Sequence, residues 1–287
     1  MPDQLATGST VAGYRISRLI GRGATGAVYL AEAADGRLVA LKLLIPELAQ
    51  DTRFRERFLR ESQIAAGLDE PHIVPTIDTG EHDGALYLVM PCIEGLDLRE
   101  ILRREGPLSP QRSVDLVTQV ASALDAAHAF GLVHRDVKPG NVLVTSGDAG
   151  EHASLCDFGL AKHVSSVNSL TGERAFVGSI AYISPEQIEG GQIDARDDVY
   201  SLGCVLFECL TGEPPFARES ELATVYAHMN EEPPRPGETR PGVPEGFDVV
   251  VAKALAKSPG DRYASCGELA VAAAAAARGE LPRRRTR

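Results

Sequence analysis

The chain of 287 residues carries three groups of side chains whose types and spacing suit chemistry on a phosphorylated ligand. The first is Gly21-x-Gly23-x-x-Gly26. Glycine has no Cβ, so the backbone N–H groups of such a turn can approach phosphate oxygens closely. The same spacing also occurs in ordinary hairpins and in dinucleotide-binding turns. The dinucleotide form needs a helix after the last glycine, whereas Ala27-Val28-Tyr29-Leu30 is strand-like, and Val28 is placed to roof a base. The second group is Lys42 within Val39-Ala40-Leu41-Lys42-Leu43-Leu44. Strand lysines commonly snorkel to water, but between two apolar faces an ammonium needs a partner. Glu61 is the natural candidate, and such a pair can hold two phosphates through charge-assisted contacts. The third and densest group is His134-Arg135-Asp136-Val137-Lys138-Pro139-Gly140-Asn141, with Asp157-Phe158-Gly159 beginning sixteen residues beyond Asn141.

In this order the glycine turn, the strand lysine, the 134–141 block and the Asp157 triplet resemble the eukaryotic-like (Hanks-type) bacterial Ser/Thr protein kinases, over residues 11–278. The resemblance implies ATP and Mg²⁺ as cofactors and protein Ser/Thr hydroxyls as acceptors, the loop of the enzyme itself included. Ile20, Gly21, Arg22, Gly23, Ala24, Thr25, Gly26, Ala27 and Val28 are then expected to enclose ATP, with Lys42 and Glu61 on its phosphates. Met90, Pro91 and Ile93 match the hinge, where adenine meets one backbone C=O and one N–H. Pro91 stands where an acidic residue is common, yet it keeps its carbonyl, and Ile93 keeps its N–H. Asp136 takes the role of accepting the acceptor's proton, and Lys138 that of a point charge beside the transferring phosphate. Asn141 and Asp157 offer oxygen ligands to Mg²⁺, a hard cation usually held by few protein groups together with phosphates.

The same resemblance makes residues 160–186 an activation segment ending in Ser184-Pro185-Glu186. Glu186 is expected to form a buried pair with Arg262, because it would otherwise be buried unpaired. Asp198 is expected to brace the catalytic loop. Arg135, directly before Asp136, calls for an anion that loop phosphorylation supplies, with Thr171 as the first choice of phosphosite. Glu173 stands where bacterial relatives often have a second threonine and is expected to substitute partly for its phosphate. Ser179 keeps the hydroxyl that, with Lys138, favours Ser/Thr over Tyr acceptors. Cys156 receives no role.

The elements that must position these groups are legible as patterns. Strands are expected at residues 14–20, 27–33, 38–44, 73–79 and 86–90, with a helix over 51–68 capped by Asp51. Further helices fit from Ser109-Pro110 to Gly131, at 199–211 (apolar enough to be buried all round), 219–230, 246–257 and 265–278. The fold class is α+β: a small antiparallel-sheet lobe at 11–93, a larger helical lobe at 97–278, and a cleft between them.

Composition narrows the partners. A net charge of −11 without a basic stripe excludes nucleic acid as a natural ligand. Arg278, Arg283, Arg284, Arg285 and Arg287 make residues 279–287 and their approach a basic tail, suited to a juxtamembrane linker. The five cysteines form no Cys-x-x-Cys pair, which reads as reduced thiols, and no leader or membrane-length apolar run is present. A cytoplasmic kinase domain is expected, with a membrane anchor outside this chain and pairing through the small lobes, as in the actinobacterial receptor-like kinases that the chain resembles. Two other readings fit parts of the pattern: a non-catalytic binding module of the same fold, and a small-molecule phosphotransferase. The complete residue set argues against the first, and the long segment with Arg262 against the second.

Overall fold

Alternating apolar positions before residue 91 build one twisted sheet. The computed structural model describes residues 5–23, 25–148, 150–158 and 180–280. Strands β1 (Thr10–Val11), β2 (Tyr14–Gly23), β3 (Gly26–Glu32) and β4 (Leu38–Leu44) are followed by helices α1 (Pro46–Gln50) and α2 (Thr52–Ala66), then by β5 (Asp78–His82) and β6 (Ala85–Pro91). All neighbours are antiparallel in the order β1-β2-β3-β4-β6-β5. Side chains alternate across a strand. Val39 and Leu41 therefore join Ile16, Tyr29, Tyr87 and Val89 on one face. Ala40 and Leu44 join Leu86, Leu88, Met90 and the α2 residues Phe54 and Phe58 on the other. Asp51 caps α2 by accepting from Arg53 N and Phe54 N.

The run expected as a strand at 73–79 is not one. Pro75 has no N–H for a ladder, and pairing with β6 begins only at Ile77 N, 2.8 Å from Val89 O. The upstream residues instead clasp the other lobe: Val74 N donates to Leu155 O and Leu155 N to His72 O.

The helical lobe runs through β7 (Leu96–Asp97), α3 (Leu98–Glu105), α4 (Pro110–Ala129), β8 (Val142–Gly147), β9 (Gly150–Leu155), α5 (Pro185–Glu189), α6 (Ala195–Thr211), α7 (Glu221–Asn230), α8 (Pro236–Thr239), α9 (Gly246–Ala254) and α10 (Cys266–Ala277). Its core gathers α4, α6, α9, α10 and the inner face of β8 and β9. Helix α6 is buried at every position from Asp197 to Leu210, as its apolar sequence requires. Ser109 caps α4, with Pro110 in the first turn. Helices α1 and α8 are short additions that the sequence pattern did not suggest, each opening on a proline.

Candidate active site

Three loops and one strand converge where the sheet meets the helical lobe. The catalytic block leaves α4, crosses the buried His134, and ends in a tight turn at Pro139–Asn141 that feeds β8. His134 Nδ1 accepts from Asp136 N at 3.2 Å, so its Nε2 is the donor to Cys156 O at 2.8 Å. Its ring stands edge-on to Phe158. The loop is thereby tied to the start of the Asp157 triplet.

Arg135 has φ 65° and Asp157 φ 70°, left-handed values that are costly without a Cβ-free residue. At Arg135 the backbone is held from both sides. Asp198 Oδ2 accepts from His134 N and Asp198 Oδ1 from Arg135 N, each at 2.8 Å, and Gln187 Nε2 donates to Arg135 O at 2.7 Å. Asp198 also bonds His128 Nε2 at 2.7 Å. Burial opposes its charge, but the His128 hydrogen bond and its other donors hold it below the ordinary aspartate range. The adjacent Asp197 is pushed the other way, well up, by burial and by the Asp198 charge. The expected brace from α6 is present.

Lys138 Nζ lies 2.6 Å from Asp136 Oδ2. Asn141 Nδ2 donates to the Asp136 carbonyl at 2.8 Å and to its Oδ2 at 3.1 Å, which turns Asn141 Oδ1 the opposite way. Asn141 Oδ1 and the Asp157 carboxylate are oxygen-only donors, and that set fits Mg²⁺. Burial, then Asp157, pushes the Cys156 thiol far up, and it is chemically quiet as expected.

The partner expected for Lys42 is not the one found. Lys42, 7% exposed on β4, places Nζ 2.6 Å from Asp157 Oδ2. Glu61, 5% exposed on α2, instead places Oε1 3.1 Å from Arg135 Nη1. Each acid, the buried Glu61 and the part-buried Asp157, thus meets one cation in this crossed arrangement, although Arg135 Nε is buried without a partner. Spacing alone could not choose between partners that lie 19 positions and 115 positions from Lys42.

Ile20, Gly21, Arg22 and Gly23 end β2, Thr25 sits in the turn, and Gly26, Ala27 and Val28 open β3. A Cβ at Gly21 or Gly23 would meet nothing within 4 Å, so both leave room for a ligand. Gly26 differs, because a Cβ there would collide with the Leu43 backbone carbonyl of β4. Ala27 is a correction: strand alternation turns its side chain to the outer cluster with Tyr29 and Leu41, away from the cleft. Val28 is on the cleft side and, like Ile93 and Leu143, packs against the cluster that holds Ala40, Met90 and Cys156. Pro91 ends β6, opposite Val39. Leu143 and Ala40 were missed from sequence. The signal for Leu143 was the uninterrupted Val142-Leu143-Val144, in which the flanking valines fill the core and the leucine must face the cleft. Ala24, Gly159, Thr171, Glu173 and Ser179 lie outside the described residues.

Glu186 and Arg262 form the expected pair, bidentate at 2.5 and 2.7 Å and buried. Arg262 spends its remaining donors on the carbonyls of Arg196, Lys257 and Ala256. Nearby, Tyr182 OH donates to Glu208 Oε2 at 2.6 Å, and burial raises Glu208 to about 7.

A sheet lobe over a helical lobe, with the Lys42 ammonium, the Asp136–Lys138 pair, the Asn141 amide and the Asp157 carboxylate at the seam, defines a protein kinase. The protein kinase domain family matches residues 14–270, and the chain belongs to it. Among its relatives, the serine/threonine-protein kinase PknE of Mycobacterium bovis is 49% identical over 264 residues, 92% of this chain and 46% of the relative. PknH of the same organism is 48% identical over 267 residues, covering 93% and 44%. The chain therefore spans a little under half the length of these relatives. Among solved structures, the PknI kinase domain of Mycobacterium tuberculosis superposes with a TM-score of 0.79 at 37% identity, covering 95% of this chain and 100% of that one. No described helix is long and apolar enough to cross a membrane.

Proposed function

We propose that the chain transfers the γ-phosphoryl group of ATP to Ser/Thr hydroxyls of proteins, its own activation segment included. The observation that carries this reading is the junction at Asp136 Oδ2, with Lys138 Nζ at 2.6 Å and Asn141 Nδ2 at 3.1 Å, in the cleft that also holds the Asp157–Lys42 pair. Phosphoryl transfer requires positioning and charge neutralisation more than covalent help. Asn141 and Asp157 would hold Mg²⁺, which when bound would neutralise the triphosphate charge. Asp136 orients the acceptor hydroxyl and takes its proton at a carboxylate oxygen. Lys138 stabilises the negative charge on the moving group. Lys42 holds phosphates, and Val28, Ala40, Met90 and Leu143 exclude water around the base, with the Pro91 carbonyl and the Ile93 N–H as its polar contacts. Gly21 and Gly23 offer backbone donors from above.

The finer parts of this reading rest on the sequence. Arg135 receives the phosphate of Thr171, with Glu173 as a partial substitute, and Ser179 helps select the hydroxyl class. Kinase domains pair through their small lobes, which lets one copy modify the other's segment. The chain acts on the inner face of a membrane as part of a longer protein, joined through the basic residues after 278, and the greater length of its relatives favours this.

Phosphosite mapping by mass spectrometry after incubation with Mg²⁺ and ATP tests the core claim. Phosphoserine and phosphothreonine are expected on wild-type protein and none on Asp136→Asn. Equal modification of both proteins overturns the reading.

A further inference from the structure

On the far side of His128 from Asp198, α4 and the start of α10 bring together three ligand-type side chains that phosphoryl transfer does not use. Asp125, His128 and Cys266 present a carboxylate oxygen, a ring nitrogen and a thiol sulfur that all lie within 4.8 Å of one another. Asp125 and His128 share one face of α4, being three positions apart. Cys266 is the first residue of α10. The imidazole is already oriented, because Nε2 is bound to Asp198 Oδ2 at 2.7 Å. With Asp198 accepting there, Nδ1 carries the lone pair of the neutral ring. That Nδ1 is fully buried and has no hydrogen-bond partner, on a side chain only 10% exposed. A bare ring nitrogen whose opposite N–H is held by a carboxylate is the arrangement that metal-ligating histidines adopt.

We propose that Asp125, His128 and Cys266 form a binding site for a zinc-like divalent transition-metal ion. The donor set is one sulfur, one nitrogen and one oxygen. It suits Zn²⁺ and not Mg²⁺, whose oxygen ligands lie in the cleft. Cys266 binds as thiolate, so one proton leaves the thiol for solvent as the metal–sulfur bond forms. Asp125 accepts from Cys266 N at 3.0 Å and Gly267 N at 2.9 Å, and each carboxylate oxygen retains a lone pair. Asp125 is also the entry side, its side chain being 36% exposed. Three protein ligands leave one tetrahedral position for water. The site reports to the catalytic loop, because His128 shares Asp198 with His134 N and Arg135 N.

Co²⁺ is the probe, added to the whole chain and followed by absorption spectroscopy. A thiolate-to-metal charge-transfer band that Zn²⁺ abolishes is expected for wild-type protein and for Cys92→Ala, which alters a thiol elsewhere. Cys266→Ala is expected to lose the band. Asp125→Asn, judged by circular dichroism to be folded, is expected to bind Co²⁺ at least about tenfold more weakly, and it decides the matter should Cys266→Ala not fold. Absence of the band in folded wild-type protein overturns the proposal. So does a band that survives Cys266→Ala, or an affinity unchanged by Asp125→Asn.

Discussion

Glu61 is bound to Arg135 and not to Lys42: its Oε1 stands 3.1 Å from Arg135 Nη1, while Lys42 Nζ is 2.6 Å from Asp157 Oδ2. A lysine and an aspartate that both serve a metal-bound triphosphate cannot also serve each other. In the proposed phosphoryl-transfer arrangement, Asp157 would turn to the metal and Lys42 to the phosphates, and the buried ammonium would then gain from a second carboxylate. Glu61 is the carboxylate within reach on α2. A crystal structure with Mg²⁺ and a non-hydrolysable ATP analogue is therefore expected to show Glu61 within about 4 Å of Lys42 Nζ and released from Arg135. Glu61→Gln should lower kcat/KM by roughly 10²-fold while leaving the fold intact.

The three glycines of the turn are expected to separate into two kinds. Gly26→Ala puts a methyl group into the Leu43 carbonyl and should cost about 1–3 kcal/mol of stability, read by denaturant unfolding. Gly21→Ala and Gly23→Ala meet open space in the protein and should melt like wild type while raising KM for ATP.

Arg262 uses all its donors, two on Glu186 and three on backbone carbonyls. Arg262→Ala leaves Glu186 buried and uncompensated, an expected loss of about 3–5 kcal/mol. Arg262→Lys should recover little of it, because a point charge cannot replace the bidentate fork. The double variant Glu186→Gln with Arg262→Met is expected to be more stable than Arg262→Ala alone.

Glu208 makes stability fall with rising pH. Burial raises its folded pKa from 4.5 to about 7, so between those values the folded chain holds a proton that the unfolded chain has lost. Its contribution is complete below about pH 4.5 and disappears as pH rises through 7. Glu208→Gln keeps an acceptor for Tyr182 OH and carries no charge. Thermal melts should show the variant more stable than wild type at pH 8, by about 2 kcal/mol, and similar at pH 5.

The sequence exposed the chemistry more readily than the wiring. The 134–141 block and the Asp157 triplet could be read because phosphoryl transfer needs those residue types close together, and local turns fix their spacing. The Glu186–Arg262 pair could be read because a buried acid demands a partner. The partner of Lys42 could not, since two acids of equal chemistry compete for two cations and only the packing of α2 against the sheet decides. Residues 73–79 misled because the apolar pattern persisted across Pro75, which has no ladder donor, and the start of the segment clasps β9 instead. Ala27 was placed in the cleft by its position in the glycine run, whereas the period of two in β3 turns it outward. Leu143 was overlooked because the run Val142-Leu143-Val144 points to the cleft only once the segment is known to be a strand whose valines fill the core.

Asp198 sits wholly inside α6, yet its two oxygens carry the backbone of the reacting loop. The loop is thus referenced to the deepest helix of the lobe, as a tool is to its bed. Helix α6 rests on α9 through Gly203, where a Cβ would stand 2.7 Å from the Ala254 methyl. Widening that seam by one methyl group shifts the bed beneath the tool. A screen for inactive but soluble variants should accordingly return Gly203→Ala, a substitution with no atom near the cleft.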